Sequence, residues 1–145
     1  MIDISKKDIT VRTAKAKGTI AFGDKAFEII KNRTSKKGDV FTTAKIASIQ
    51  AVKSTPNLIP MCHPIPIESV QVDFENNESE KTVTIIVTVK STGRTGVEME
   101  ALCGAATGCL TIYDMLKYSD KAMVIKEVKL IEKTGGKSGD YKRQD

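Results

Sequence analysis

The sequence contains no tryptophan, a single histidine, and only four Phe and three Tyr among its 145 residues. Proteins that grip single-stranded nucleic acid usually stack bases on aromatic side chains, so the shortage argues against that class of partner. One histidine, His63, cannot build a histidine-based metal centre. The three cysteines, Cys62, Cys103 and Cys109, are odd in number and show no C-x-x-C spacing, so neither a disulfide framework nor a zinc site is indicated. Cys103 and Cys109 lie in an Ala/Gly-rich apolar stretch and read as small hydrophobic side chains. No run approaches the ~18–20 apolar residues needed to span a bilayer. The N-terminus lacks the apolar core of a signal peptide. The expectation is a cytoplasmic protein with no membrane partner.

What is present is more informative. A chain of 145 residues makes one ordinary domain, here residues 1–145. Its 40% hydrophobic content supplies a core, and 23 basic against 18 acidic residues leave a net charge of +5. That excess favours an anionic partner without naming it. Small phosphorylated metabolites fit this composition better than RNA or DNA.

The pattern of elements follows from local chemistry. Asp24 reads as the N-cap of a short helix carrying Phe27, Ile29 and Ile30, and Asp39 as the cap of a second helix to about Lys53. Pro56, Pro60, Pro64 and Pro66 then predict an extended passage. A strand over about residues 68–74 follows, and Val83, Ile85, Val87 and Val89 alternate through a second, so the two read as an antiparallel hairpin. Thr95-Gly96-Val97-Glu98 has the form of a capping box opening a long helix to about Lys117. Its small residues, including Gly104 and Gly108, invite close approach of another backbone. A final strand around residues 123–131 leads into a Gly/Lys tail. The order strand, helix, helix, hairpin, helix, strand predicts an α+β, ferredoxin-like sandwich, with a mostly antiparallel sheet and helices packed on one face. The other face is left free, which invites oligomerisation.

Several residues could carry chemistry. His63 sits between prolines in a rigid segment that would aim its ring, although a structural role fits it as well. Lys36 and Lys37 lie beside a helix N-terminus, against the macrodipole, a local rule broken without visible compensation. Lys37-Gly38-Asp39 could present an ammonium and free N–H groups to a phosphate, or be a solvated turn. Glu100 and Asp114 share a face of the long helix but stand about 21 Å apart along it, at ~1.5 Å per residue. They cannot both grip one reacting centre in one subunit, so a joint role would require a site between subunits. Asp114 and Lys117 at i, i+3 could otherwise be a plain surface pair. The tail Gly135-Gly136-Lys137-Ser138-Gly139 is not a P-loop, because Ile131 stands where the first glycine belongs and no helix is expected after it. It can still wrap an anion.

Five segments together are specific: Lys37-Gly38-Asp39-Val40, Leu58-Ile59-Pro60-Met61-Cys62-His63-Pro64, Thr95-Gly96-Val97-Glu98-Met99-Glu100-Ala101-Leu102, Tyr113-Asp114-Met115-Leu116-Lys117, and Gly135-Gly136-Lys137-Ser138-Gly139. In order and over almost the whole chain, they resemble the cyclic pyranopterin monophosphate synthase family of molybdenum-cofactor biosynthesis. The resemblance implies a lyase that converts the 3′,8-cyclo-7,8-dihydro derivative of GTP into cyclic pyranopterin monophosphate with release of pyrophosphate. It implies a ferredoxin-like fold and a homo-hexamer, a trimer of dimers with active sites at a dimer interface. Carried over by motif, the catalytic positions are Asp114, Lys117, Lys37 and His63. The substrate-binding positions are Met61, Cys62, His63, Glu98, Met99, Glu100 and Lys137, with Arg12 as a further anion-binding candidate.

A triphosphate needs several cations, and ring remodelling needs general acids and bases. Lys117 and Lys37 are expected to transfer protons, Asp114 to tune and orient Lys117, and His63 to position or shuttle. No metal site or cofactor is expected, and the sequence leaves open whether Mg²⁺ escorts the triphosphate. Family members often carry extra residues ahead of the equivalent of Ile2-Asp3-Ile4-Ser5, which leaves an added edge strand or arm open. Cys103 stands where threonine is common. Two rival readings remain. A basic RNA-binding module on the same sheet would want aromatic side chains on its central strands, where this chain offers Val, Ile and Thr. An inactive structural relative would not need the complete charged set.

Overall fold

Alternation of small with charged residues builds the strand at the centre of the molecule. In a computed structural model, which describes residues 1–144, β1 spans Thr10–Ala21 and carries Ala14, Ala16 and Ile20 on one face and Lys15, Lys17 and Thr19 on the other. The remaining elements follow in order as α1 Asp24–Lys31, α2 Val40–Lys53, α3 Thr55–Leu58, β2 Ser69–Asn77, β3 Thr82–Gly93, α4 Glu98–Leu116, β4 Val124–Thr134 and β5 Tyr141–Lys142. The sheet order is β2-β3-β1-β4-β5, and every pair is antiparallel. With helices between β1 and β2 and again between β3 and β4, this is the expected ferredoxin-like arrangement.

The sheet buries one face under the helices. Ala14, Ala16 and Ile20 of β1 and Val83, Ile85, Val87 and Val89 of β3 are at most 1% exposed, and α4 covers them with Ala101, Ala105, Ile112 and Leu116. Each fully buried Ile or Leu contributes about 1.5–3 kcal/mol. Small residues bring α4 close to its neighbours: at Gly108 there is no room for a Cβ beside Ser48 and Ile85, and at Gly104 none beside Val52. The sequence had pointed to that close approach.

The opposite face is dominated by Lys, Glu and Thr. Lys15 pairs with Glu132 at 2.9 Å, Lys17 with Glu127 at 3.4 Å, and the Thr19 and Thr84 hydroxyls meet at 3.1 Å. Large exposed apolar side chains occur on the sheet at Val11 and Val124 and on the helical layer at Ile46, Leu58, Met99 and Leu110.

Four local expectations need correction. Asp24 is the first residue of α1 rather than its cap; Gly23 is the N-cap, and the Asp24 carboxylate pairs with Lys81. The capping box at Thr95 does not form, because Val97 takes the N-cap position and no side chain caps the helix. The proline passage opens with α3, since Pro56 sits in a first helical turn where its missing N–H costs nothing. The C-terminal tail is partly a strand: Gly135, Gly136 and Gly139 take positive φ and return the chain so that β5 pairs with β4. Asp39 behaves as expected, accepting the Thr42 amide at 2.8 Å, and that donation holds its carboxyl below the usual range. No helix among the described residues is long and apolar enough to cross a membrane.

Candidate active site

The chemistry-bearing residues gather at the two ends of α4. At its N-terminal end, Met61, Cys62 and His63, from the passage after α3, face Glu98, Met99 and Glu100 across a cavity of about 400 Å³. Met1, Ile2, Ile4 and Lys7 close another side. Glu100 is 3% exposed, and no lysine or arginine pairs with it among the described residues. Burial raises its pKa, and the charge of Glu98 adds to the rise. Burial also pushes the Cys62 thiol up, which disfavours the thiolate. Cys109, fully buried, is pushed up to about 12, which agrees with its reading as a core side chain.

Beside this pocket lies a basic cavity of about 900 Å³, lined by Lys6, Lys7, Asp8, Thr10, Arg12, Gly136, Lys137 and Ser138. Four cations face one carboxylate there, which suits an anion. Arg12 is 8% exposed and donates from Nε to the Gly93 carbonyl at 3.0 Å, while the rest of its guanidinium lies against Gly136. Gly136 has φ +82°, and a Cβ there would collide with that guanidinium. The positive φ favours glycine, and a side chain there would have to displace the guanidinium. The Thr10 hydroxyl is buried and has no hydrogen-bond partner among the described residues.

At the other end of α4, Asp114 holds two lysines. Lys117 Nζ stands 2.7 Å from Oδ1, and Lys37, from the turn before α2, donates to Oδ2 at 3.2 Å and to the Asp114 carbonyl at 2.9 Å. The Lys117 contact and then the Lys37 contact hold the Asp114 carboxyl below its ordinary value, and Asp114 raises Lys117 in return. Both ammonium groups are exposed. As arranged, the cluster can donate protons and hold phosphate oxygens.

The sequence comparisons bear on this geometry directly. Residues 1–136 match the model of the MoaC family. A protein of Helicobacter hepaticus named cyclic pyranopterin monophosphate synthase is 52% identical over 145 residues, covering 100% of this chain and 91% of that one. Its namesake in a Sulfurovum species is 52% identical over 143 residues, and that in Staphylococcus aureus 51% over 147, covering 99% of this chain and 91% and 90% of theirs. The chain belongs to the MoaC family. It is an enzyme.

Within that MoaC frame, the structure brings Met61, Cys62, His63, Glu98, Met99 and Glu100 around one pocket, with Arg12 and Lys137 in the adjoining cavity. It does not bring Lys37, Asp114 and Lys117 to them within one chain; Glu100 and Asp114 are about 21 Å apart along α4 at 1.5 Å per residue. Three cations were missed: Lys6, Lys7 and Lys133. Lys7 lines both cavities, and only the Lys6-Lys7 doublet near the N-terminus hinted at it. Lys133, on β4, reaches Glu98 at 3.5 Å and donates to Ser138 at 2.7 Å. In the sequence it is one lysine among several near a Gly/Lys tail. The discounting of Glu98 as a capping acid also lapses, since its carboxylate folds over Gly96 and faces Lys133 instead. Among the described residues no group of three His, Cys, Asp or Glu side chains is placed to hold a metal ion.

Proposed function

We propose that this chain, a single catalytic domain of residues 1–145 acting in the cytoplasm, is a cyclic pyranopterin monophosphate synthase of molybdenum-cofactor biosynthesis. It converts (8S)-3′,8-cyclo-7,8-dihydroguanosine 5′-triphosphate to cyclic pyranopterin monophosphate and releases pyrophosphate. The observation that carries the reading is 52% identity, over the full chain, to a protein bearing that name. The geometry supports it. A purine-derived ring fits the pocket between Met61-Cys62-His63 and Glu98-Met99-Glu100, and its phosphates fit the adjoining cavity with Arg12 and Lys137. Lys7, on both linings, meets the join between ring and phosphates.

The proton-transfer pair in this reading is Lys117 and Lys37, oriented by Asp114, with His63 positioning or shuttling. They reach the substrate from a second copy. The outer side of α4 carries Met99, Cys103 and Leu110 in helical register with Asp114, and Met99 and Leu110 are exposed apolar side chains. Two such helices laid antiparallel about a two-fold axis would bring Glu100 of one chain beside the lysines of the other. The assembly is then a homo-oligomer, a hexamer built as a trimer of dimers. The reaction as proposed calls for no cofactor.

Incubating the purified protein with the cyclic dihydro-GTP tests this reading. Equimolar pyrophosphate and cyclic phosphate product are expected. Salt-sensitive binding of generic RNA with no turnover would overturn the reading in favour of a nucleic-acid module.

A further inference from the structure

Lys37 does not reach Asp114 from a helix or a strand. It sits on an exposed turn, Ser35-Lys36-Lys37-Gly38, closed by the Gly38 amide on the Ser35 carbonyl at 3.2 Å, with Gly38 at φ +100°. A turn of this kind is mobile unless something outside it holds it. Two contacts tie it to the end of α4. One is the Lys37 ammonium on Asp114. The other is the Tyr118 hydroxyl, which accepts the Lys36 backbone amide at 3.1 Å while the Lys36 ammonium stands 6.0 Å from the ring centroid. The first contact is the one that must loosen if Lys37 is to meet a substrate. Only the second can persist while Lys37 works.

From this geometry we infer that Tyr118 is a positioning residue: its hydroxyl docks the 35–38 turn against the end of α4 and so keeps Lys37 within reach of Asp114 and of whatever Lys37 protonates. The inference rests on the assignment of Lys37 to proton transfer. Tyr118 follows directly on the Asp114–Lys117 pair, so the same helix end that carries the acid cluster also carries the clamp for its third member. Its surroundings fit the role. Donation from the Lys36 amide, joined by Ser35 and by the charges of Lys36 and Lys25, holds the phenol below its ordinary value, as befits an oxygen that accepts hydrogen bonds among cations. Tyr118 is 42% exposed and lies outside the core, so removing the hydroxyl leaves the packing intact.

The test is Tyr118→Phe, which keeps the ring and deletes only the acceptor. Two readouts are taken on the full-length protein. The first is product formation from the cyclic dihydro-GTP: kcat is expected to fall roughly three- to ten-fold, the worth of one hydrogen bond, with KM nearly unchanged. The second needs no turnover. The Asp114 carboxyl, followed by carbon NMR as pH is varied, is expected to titrate at higher pH in the variant, because Lys37 leaves it for part of the time while Lys117 stays. In a Lys37→Ala background the hydroxyl deletion is expected to change neither readout further. Unchanged kcat and an unchanged Asp114 titration overturn the inference. So does a lower melting temperature with an unchanged Asp114 titration, which makes Tyr118 merely structural. If the parent protein forms no product, the assignment of the reaction fails, and the Asp114 titration alone still decides whether Tyr118 places Lys37.

Discussion

The two ends of α4 carry carboxylates on one face of one helix and treat them in opposite ways. Glu100 is buried beside Met61, Cys62 and His63, and burial makes its ionised form costly. Asp114 is exposed between two lysines and is held ionised. Burial disfavours charge on a carboxyl, whereas an ionised carboxylate orients ammonium groups. The difference teaches that residue type and helical phase do not assign a role; the groups that other elements bring alongside do.

The comparison breaks most visibly at the lysine end. Lys117→Ala or Lys37→Ala is expected to lower the rate of pyrophosphate release by about 10²–10⁴-fold, the usual worth of a proton-transfer group. Near-normal product formation by either variant would return the cluster to a surface ion network. Joining the ends across subunits predicts complementation. Glu100→Gln and Lys117→Ala chains, each inactive alone, should recover about a quarter of the parent activity after co-refolding at equal amounts, since half the dimers are mixed and each has one intact site. No recovery, with mixed dimers shown by mass spectrometry, would place both ends of the site in one chain.

Smaller changes sharpen the contrast. Gly136→Ala would push the Arg12 guanidinium out of the basic cavity, so KM is expected to rise about ten-fold with kcat little changed. Glu100→Gln bears on the buried carboxylate through stability. A raised folded pKa contributes stability that is present below the ordinary glutamate range and lost as pH rises through the raised value. The variant should therefore melt higher than the parent at about pH 8 and alike at about pH 4, read by calorimetry. Lys15→Ala, on the charged sheet face, should change stability by under about 1 kcal/mol and leave turnover unaffected, because its pair with Glu132 is solvent-exposed.

Much of the fold was legible because its strongest elements are locally determined. Val83, Ile85, Val87 and Val89 wrote β3 in period two, and Asp39 capped α2 where its side chain could reach Thr42. The central strand β1 was harder to delimit, since Ala14, Ala16 and Gly18 fill its core face. Those residues are small because α4 lies close above them, a demand that no single-strand pattern displays. The cap at Thr95 failed for a related reason: Glu98 found Lys133, more than thirty residues on, and folded over Gly96 rather than back to its own helix start. Of the site, the motif residues were legible and three further cations, Lys6, Lys7 and Lys133, were not. Lys7 and Lys133 sit in stretches where lysine is common, and what distinguishes them is which cavity or carboxylate they face.

By itself, the sequence determined the family, the order of elements and the charged residues that the chemistry requires, because motifs, capping and periodicity are written within a few neighbouring positions. Tertiary structure alone decided how those charges are divided. It buried Glu100 with no paired cation among the described residues, paired Asp114 with Lys37 across 77 residues, set Gly136 against Arg12 and hung the Lys37 turn on Tyr118. Burial and pairing depend on what other segments bring within a few ångströms. They fix which carboxyl is raised above its ordinary pKa and which is held below it.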